Sequence, residues 1–210
     1  MLERLSGTDA GAVLASLDGY RETIEPERRH LLARYRPVDV AFKVVGTGSV
    51  GLRDYCVYFE GNGPGDPLFL QIKQEVASAW APYLDAAETA ATSALNQGAR
   101  AVNGQRAMQV QSDPFLGYTR IDSRDYLVRQ LNDHKGSVDT GGLDADTLAH
   151  YADLCGELLA RGHARSGDPD ALAGYIGHGS QLDKAIAAFA HAYADQTEHD
   201  WHELRKSRQR

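Results

Sequence analysis

Three glycines and one lysine carry the clearest chemical signal in this sequence. The stretch from Val44 to Phe59 reads VVGTGSVGLRDYCVYF and contains G-x-G-x-x-G at 46–51. Because glycine has no Cβ, backbone N–H groups in such a segment can approach an anion closely. Lys73 lies near the end of the second extended segment after the glycines, where it would add a fixed positive charge. This combination predicts a phosphate site.

Two structural settings fit the glycine pattern. In dinucleotide-binding folds it closes a strand and opens a helix whose N-terminus faces the pyrophosphate. In protein kinases it links two antiparallel strands, and a lysine on the next strand reaches the phosphates. Here YCVYF at 55–59 favours a strand, and NGPGD at 62–66 predicts a turn. We therefore predict the kinase order. The alternative is a hairpin bend that binds no ligand, with Lys73 as a solvated residue at a strand end.

The remaining periodicity predicts an α+β fold, in which a small antiparallel sheet carries the glycine loop, helices flank it and a helical region follows. Residues 9–35 have helical spacing, and alternation along PLFLQIKQ places Leu70 and Ile72 on one face and Gln71 and Lys73 on the other. We expect one or two helices in 76–111 and a strand pair around IDSRD. We also expect helices at about 145–162, 169–176 and 180–206. The predicted divisions are 1–36, 37–135 and 143–210.

Composition narrows the class of protein. The chain has 210 residues and a formal charge of −7, which argues against a global basic field for nucleic acid. Its two cysteines, Cys56 and Cys155, lie too far apart in sequence to indicate a zinc knuckle, and they favour a reduced compartment. Neither a signal-peptide core nor an apolar run of membrane-spanning length is visible. We therefore expect a soluble cytoplasmic protein without a membrane partner.

Two further polar clusters have simpler explanations than catalysis. His191, Asp195 and His199 recur at i, i+4 and i+8, as metal ligands can on a helix, but a polar, solvated helix face is the preferred explanation, so no metal site is predicted. HARSGD at 163–168 has a distant likeness to a catalytic loop. No asparagine follows Asn132, so H-x-D-x-x-x-x-N cannot occur there, and a helix end followed by a new helix is the preferred interpretation. No catalytic residue is predicted.

Several segments together resemble a known bacterial family. They include VVGTGSVG, GQRAMQ and VRQLNDHKGS, and they span about residues 20 to 203. In this order they resemble the C-terminal half of domain of unknown function 2252. That family is similar to kinase-like phosphotransferases, with its catalytic-loop and metal-binding motifs in a half that precedes the one seen here. The resemblance implies a circularly permuted kinase-like fold and a truncated chain.

The resemblance also assigns roles to residues of this chain. It implies phosphate contacts from the glycine loop, Lys73 as their cationic partner and Lys43 as a nearby charge, so the candidate site comprises Gly46, Gly48, Ser49, Gly51, Lys43, Gln71 and Lys73. ATP is the candidate cofactor, Mg²⁺ would need residues absent here, and the missing half or a partner chain is the expected partner. Gln74 and Ala99 stand where the family pattern suggests acidic or amide groups, which puts the ion pair of Lys73 in doubt. A non-catalytic remnant or interaction module is the rival hypothesis.

Overall fold

Among the described residues, six antiparallel strands form one open sheet in the order β1-β2-β3-β4-β6-β5. The computed structural model describes residues 2–44, 49–85, 95–131 and 136–208. The strands are β1 (Leu2–Arg4), β2 (Arg36–Lys43), β3 (Asp54–Glu60), β4 (Pro67–Glu75), β5 (Gly117–Ile121) and β6 (Arg124–Gln130). Every strand pair is antiparallel. With the helices described below, this sheet confirms the predicted α+β class.

The sheet belongs to the first of two units, residues 1–157, and its first face packs on two helices, α1 (Gly7–Arg21) and α2 (Pro26–Leu32). Alternation along β4 sends Leu70 and Ile72 to this face, where both are fully buried. Tyr20 of α1 is also buried, and its hydroxyl donates to the Phe115 carbonyl at 2.6 Å. The main core therefore lies between the sheet and these two helices.

A third helix, α3 (Gln97–Met108), packs on the opposite face, which we call the second face. Its Val102 contacts Leu127 of β6 and Leu116 in a smaller apolar cluster. Asp125 of β6 fixes the start of α3, since its carboxylate accepts from Gln97 N and Asn96 Nδ2, both at 2.9 Å. These contacts hold α3 beside β6, and thereby beside β4.

Three helices follow: α4 (Ala145–Ser166), α5 (Pro169–Ile176) and α6 (Gln181–Arg208). The boundary of the second unit, residues 158–210, falls within α4. Large apolar side chains of the second unit are exposed, among them Leu158, Leu159, Tyr175, Phe189 and Tyr193. Asp168 caps α5 by accepting from the amides of residues 170 and 171, which confirms that HARSGD ends one helix and begins the next. The three-part domain division stays a prediction.

One detail differs from the sequence expectations. Strand β1 is not predicted, because three residues give too short a pattern; it pairs with the end of β2, where Leu2 lies opposite Lys43. The helical region 9–35, whose spacing the sequence breaks near Gly19 and Pro26, is two helices: α1 ends at Arg21, and Pro26 is the first residue of α2. Of the stretch 76–111, residues 86–94 lie outside the described residues.

Candidate functional site

The glycine segment lies between two paired strands. Strand β2 ends at Lys43 and β3 begins at Asp54, and the two run antiparallel. In the described part of the connection, Leu52 N donates to the Ser49 carbonyl at 3.0 Å, and Gly51 has φ +84°, a value that favours glycine. A strand, not a helix, follows Gly51, which excludes the dinucleotide-binding arrangement. The predicted contacts of Gly46 and Gly48 lie outside the described residues.

Strand register places the charged residues of the second face in two rows. Asp54 of β3 lies directly opposite Lys73 of β4, and Cys56 lies opposite Gln71. Gln71 in turn lies opposite Arg129 of β6. Directly opposed residues project to the same face, so these side chains share the second face with α3. Lys43 joins them, since it alternates with Ala41, the partner of Cys56.

A hydrogen-bonded chain of three side chains crosses this face. Arg129 Nε donates to Gln71 Oε1 at 3.1 Å, and Gln71 Nε2 donates to Asp54 Oδ2 at 2.6 Å. Asp54 is 2% exposed and Gln71 4% exposed. The second oxygen of Asp54, Oδ1, is buried and has no hydrogen-bond partner among the described residues. The chain therefore ends at a buried carboxylate with one unsatisfied acceptor.

The charges around Asp54 oppose each other. Burial raises the pKa of the Asp54 carboxyl above its ordinary value, while the hydrogen bond from Gln71 and the charges of Lys43, Lys73 and Arg129 act to lower it. Within the described part of the chain, neither lysine ammonium has a hydrogen-bond or ion-pair partner. Within the described residues, this face thus holds two unpaired lysines, Lys43 and Lys73, near the buried carboxylate of Asp54.

Glu75 is another acid on this face, and it lies near Lys73. It lies two residues beyond Lys73 on β4, and burial raises the pKa of its carboxyl, with Lys73, Arg100 and Arg129 acting in the opposite direction. The two positions where the sequence suggested a partner for Lys73 do not provide one. Gln74 accepts from Arg53 N at 3.1 Å, and Ala99 is buried in α3 without a polar side chain.

Two cavities adjoin Lys43. One, of about 590 Å³, is lined on the second face by Lys43, Gln71, Gln105 and Arg129, together with the segment 109–114. The side-chain oxygen of Gln105 is buried, and no described residue pairs with it. The other cavity, of about 580 Å³, lies at the loop end of the first face and is lined by Lys43, Ser49, Gly51 and residues of α1, β2 and β3. Both cavities have the size of small-molecule sites.

The structure therefore brings together part of the predicted site. Lys43, Gln71 and Lys73 share the second face, while Ser49 and Gly51 line the first-face cavity that also reaches Lys43. Asp54, Arg129 and Gln105 were missed, because pairing of the strands and packing of α3 create their proximity. The alternation of Leu127 and Arg129 in YLVRQL was the available signal, but a single sequence does not give the register between strands.

Among the described residues, no group of three His, Cys, Asp or Glu side chains is arranged to hold a metal ion. No helix in the described ranges has both the length and the apolar composition needed to cross a membrane.

Comparison with known proteins gives one match. Neither a curated protein nor a solved structure matches the chain. A family model described as an uncharacterized protein conserved in bacteria (DUF2252) matches residues 2–207, which is nearly the whole chain. The chain belongs to this bacterial family, DUF2252.

Proposed function

We propose that the second face, at the end where β2 meets the glycine segment, binds the phosphate groups of a nucleotide, and that this chain is the nucleotide-binding half of a kinase-like phosphotransferase. The observation that carries the proposal is the grouping of Lys43, Lys73 and Arg129 on one face of the sheet, on strands β2, β4 and β6, next to the glycine segment that connects β2 to β3. Each cation comes from a different strand, and the sheet fixes their spacing.

The chemistry of these cations suits an anion with several charged oxygens. Lysine is a compact, strongly hydrated charge with three donors, and arginine presents a planar fork that can bind phosphate through two hydrogen bonds. Within the described residues Lys43 and Lys73 have no committed partner, so they are available without breaking an existing ion pair. Lys43 lines a cavity of about 590 Å³ with Arg129, which gives the rest of the ligand room.

Calorimetric titration of the chain with ATP and, separately, with inorganic tripolyphosphate tests the proposal. Lys73→Met keeps the aliphatic stem and removes the charge, and we expect about tenfold weaker binding of both ligands, as for the loss of one charged hydrogen bond. Arg36→Met is the matched control. It removes one charge at the other end of β2, seven residues and roughly 23 Å from Lys43.

The proposal would be contradicted if Lys73→Met bound these ligands as tightly as the wild type. It would also be contradicted if Arg36→Met lost as much affinity as Lys73→Met. Salt dependence is the second readout, because exposed charge pairs weaken as salt screens them. Binding should therefore weaken as salt rises, more steeply for the wild type than for Lys73→Met.

The proposed chemistry needs residues that the sequence of this chain lacks. Phosphoryl transfer in kinases uses an aspartate that accepts the substrate proton, with an asparagine and another aspartate for magnesium. We therefore expect nucleotide binding without phosphate transfer from this chain alone, and transfer only when a preceding half or a partner chain supplies those groups. Transfer of labelled phosphate by the isolated chain, lost in Lys73→Ala, would contradict this.

An interaction module without chemistry is the second candidate function. The second unit favours it, since Leu158, Leu159, Tyr175, Phe189 and Tyr193 are between 56% and 84% exposed. Exposed apolar groups of this density mark association surfaces. Light scattering after size exclusion should then show concentration-dependent association, and Phe189→Glu should reduce it. If association is present and nucleotide binding is absent, the second candidate replaces the first.

A further inference from the structure

We propose that Asp54 is the positioning residue of this site: when an anion binds, its carboxylate oxygen Oδ1, which is unpaired among the described residues of the free chain, accepts from the ammonium groups of Lys43 and Lys73, so that both face the ligand. The inference rests on the proposed phosphate site and deepens it. Sequence reasoning gave Asp54 no role, since it lies outside the glycine pattern and far from Lys73 in the chain.

The position of Asp54 between the two lysines follows from the sheet. It is the first residue of β3, the strand between β2 and β4. Lys73 is its direct partner on β4, and Lys43 is the last residue of β2, one position past the pair Phe42–Tyr55. Opposed side chains have Cβ atoms about 5 Å apart, and the four-carbon stem of lysine spans such a gap easily.

The hydrogen bonding of Asp54 leaves one function open. Gln71 occupies Oδ2 at 2.6 Å, and Arg129 holds the Gln71 side chain in turn, so the carboxylate cannot rotate freely. Oδ1 has no partner in the part of the chain that the structure describes, although the residue is only 2% exposed. A buried acceptor of this kind costs free energy unless it is paired. Lys43 and Lys73, unpaired within the described residues, are the donors on either side.

A purely electrostatic role makes the opposite prediction for binding. If Asp54 acted only through its charge, it would repel an anion, and Asp54→Asn would strengthen the binding of triphosphate. If Asp54 positions the lysines, the same substitution releases them, and binding weakens although the site has become more positive. The sign of the change therefore separates the two roles. Glu75→Gln is the matched comparison, since it removes the same charge from the same face.

The first experiment measures the affinity for inorganic tripolyphosphate by calorimetry in the wild type, Asp54→Asn and Glu75→Gln. We expect about tenfold weaker binding for Asp54→Asn, equivalent to one charged hydrogen bond, and unchanged or tighter binding for Glu75→Gln. Unchanged or tighter binding for Asp54→Asn would overturn the inference. Thermal unfolding of each variant checks that it is folded, and asparagine can still accept from Gln71.

The second experiment needs no ligand, so it separates failure of this inference from failure of the proposed function. Carbon-detected NMR follows the Asp54 carboxyl through a pH titration in the wild type, Lys43→Met, Lys73→Met and Arg36→Met. The groups that face it are Lys43, Lys73, Arg129 and the Cys56 thiol. Loss of either lysine should raise the pKa of Asp54 further, and the arginine control should leave it in place.

If neither lysine substitution moves the Asp54 titration, the carboxylate does not engage them and the inference is wrong. If both lysine substitutions raise the pKa of Asp54 while the wild type binds no triphosphate, the interaction of Asp54 with the lysines is supported and the proposed phosphate site is wrong.

Discussion

Gly98 sets the distance between α3 and the sheet, and its replacement by alanine should destabilise the fold. Alanine is normally the better helix former, by up to about 1 kcal/mol relative to glycine. A Cβ at Gly98, however, would lie 2.5 Å from the carbonyl carbon of Tyr126 and would overlap its oxygen. Both atoms belong to the backbone of β6, so no side-chain rotation relieves the clash.

The helix must therefore move away from β6 or distort. Overpacking of this kind costs typically 1–3 kcal/mol, and the movement would also disturb the contacts of Val102 and the hydrogen bonds of Asp125. We expect Gly98→Ala to lower the free energy of unfolding by about 2–3 kcal/mol. Gly104→Ala in the same helix is the control, because a Cβ there meets nothing within 4 Å. That variant should gain up to about 1 kcal/mol.

Urea denaturation followed by circular dichroism measures both variants against the wild type, with the slope compared to confirm the same transition. The free energies of unfolding of the two variants should thus lie on opposite sides of the wild-type value and differ by about 2–4 kcal/mol. If Gly98→Ala stabilised the protein as much as Gly104→Ala, the close approach of α3 to β6 would be refuted. The position of Gln105 over the second face would then be refuted as well, because it depends on that close approach.

Three further predictions concern single side chains. Asp54→Asn should gain stability over the wild type as pH rises. A carboxyl whose pKa is raised on folding stabilises the fold below its unfolded pKa near 3.8, and this contribution is lost as pH rises through the folded pKa. A difference in unfolding free energy that stays constant between pH 4 and 7 would be contrary evidence. Tyr20→Phe removes the donor to Phe115 O and should cost about 1–2 kcal/mol in urea unfolding, and no loss would rule out that hydrogen bond. Asp125→Ala removes the acceptor at the start of α3 and should lower the free energy of unfolding by about 2 kcal/mol. The backbone amide proton of Gln97 should then exchange faster with solvent, and unchanged exchange would argue against this cap.

Local pattern was sufficient for most of the fold. The β-branched and aromatic run after Gly51 predicted β3, and the alternation around Leu70 correctly separated the buried face of β4 from the face that carries Lys73. Proline and aspartate at 168–169 located the start of α5. These features depend on residues close in sequence, where periodicity and capping decide the structure.

The site was harder to predict because its members come from separate strands. Asp54 meets Lys73 only through the β3–β4 register, and Arg129 reaches Gln71 only because β6 inserts next to β4. Gln74 follows Lys73 directly in the sequence, where the family pattern suggests an acidic residue, but alternation sends its side chain to the other face. A one-residue change in register would exchange the faces, and nothing in one sequence fixes that register across a long connection.

The most direct test of the account is an NMR titration of isotope-labelled chain with ATP, with backbone amide and lysine side-chain signals followed together. We predict that the shifts concentrate on Lys43, Lys73, Arg129 and the amides of Ser49 and Gly51, and that Lys73→Met reduces them all. Shifts confined to the second unit, or none at millimolar ATP, would contradict the claim that this face binds nucleotide phosphates.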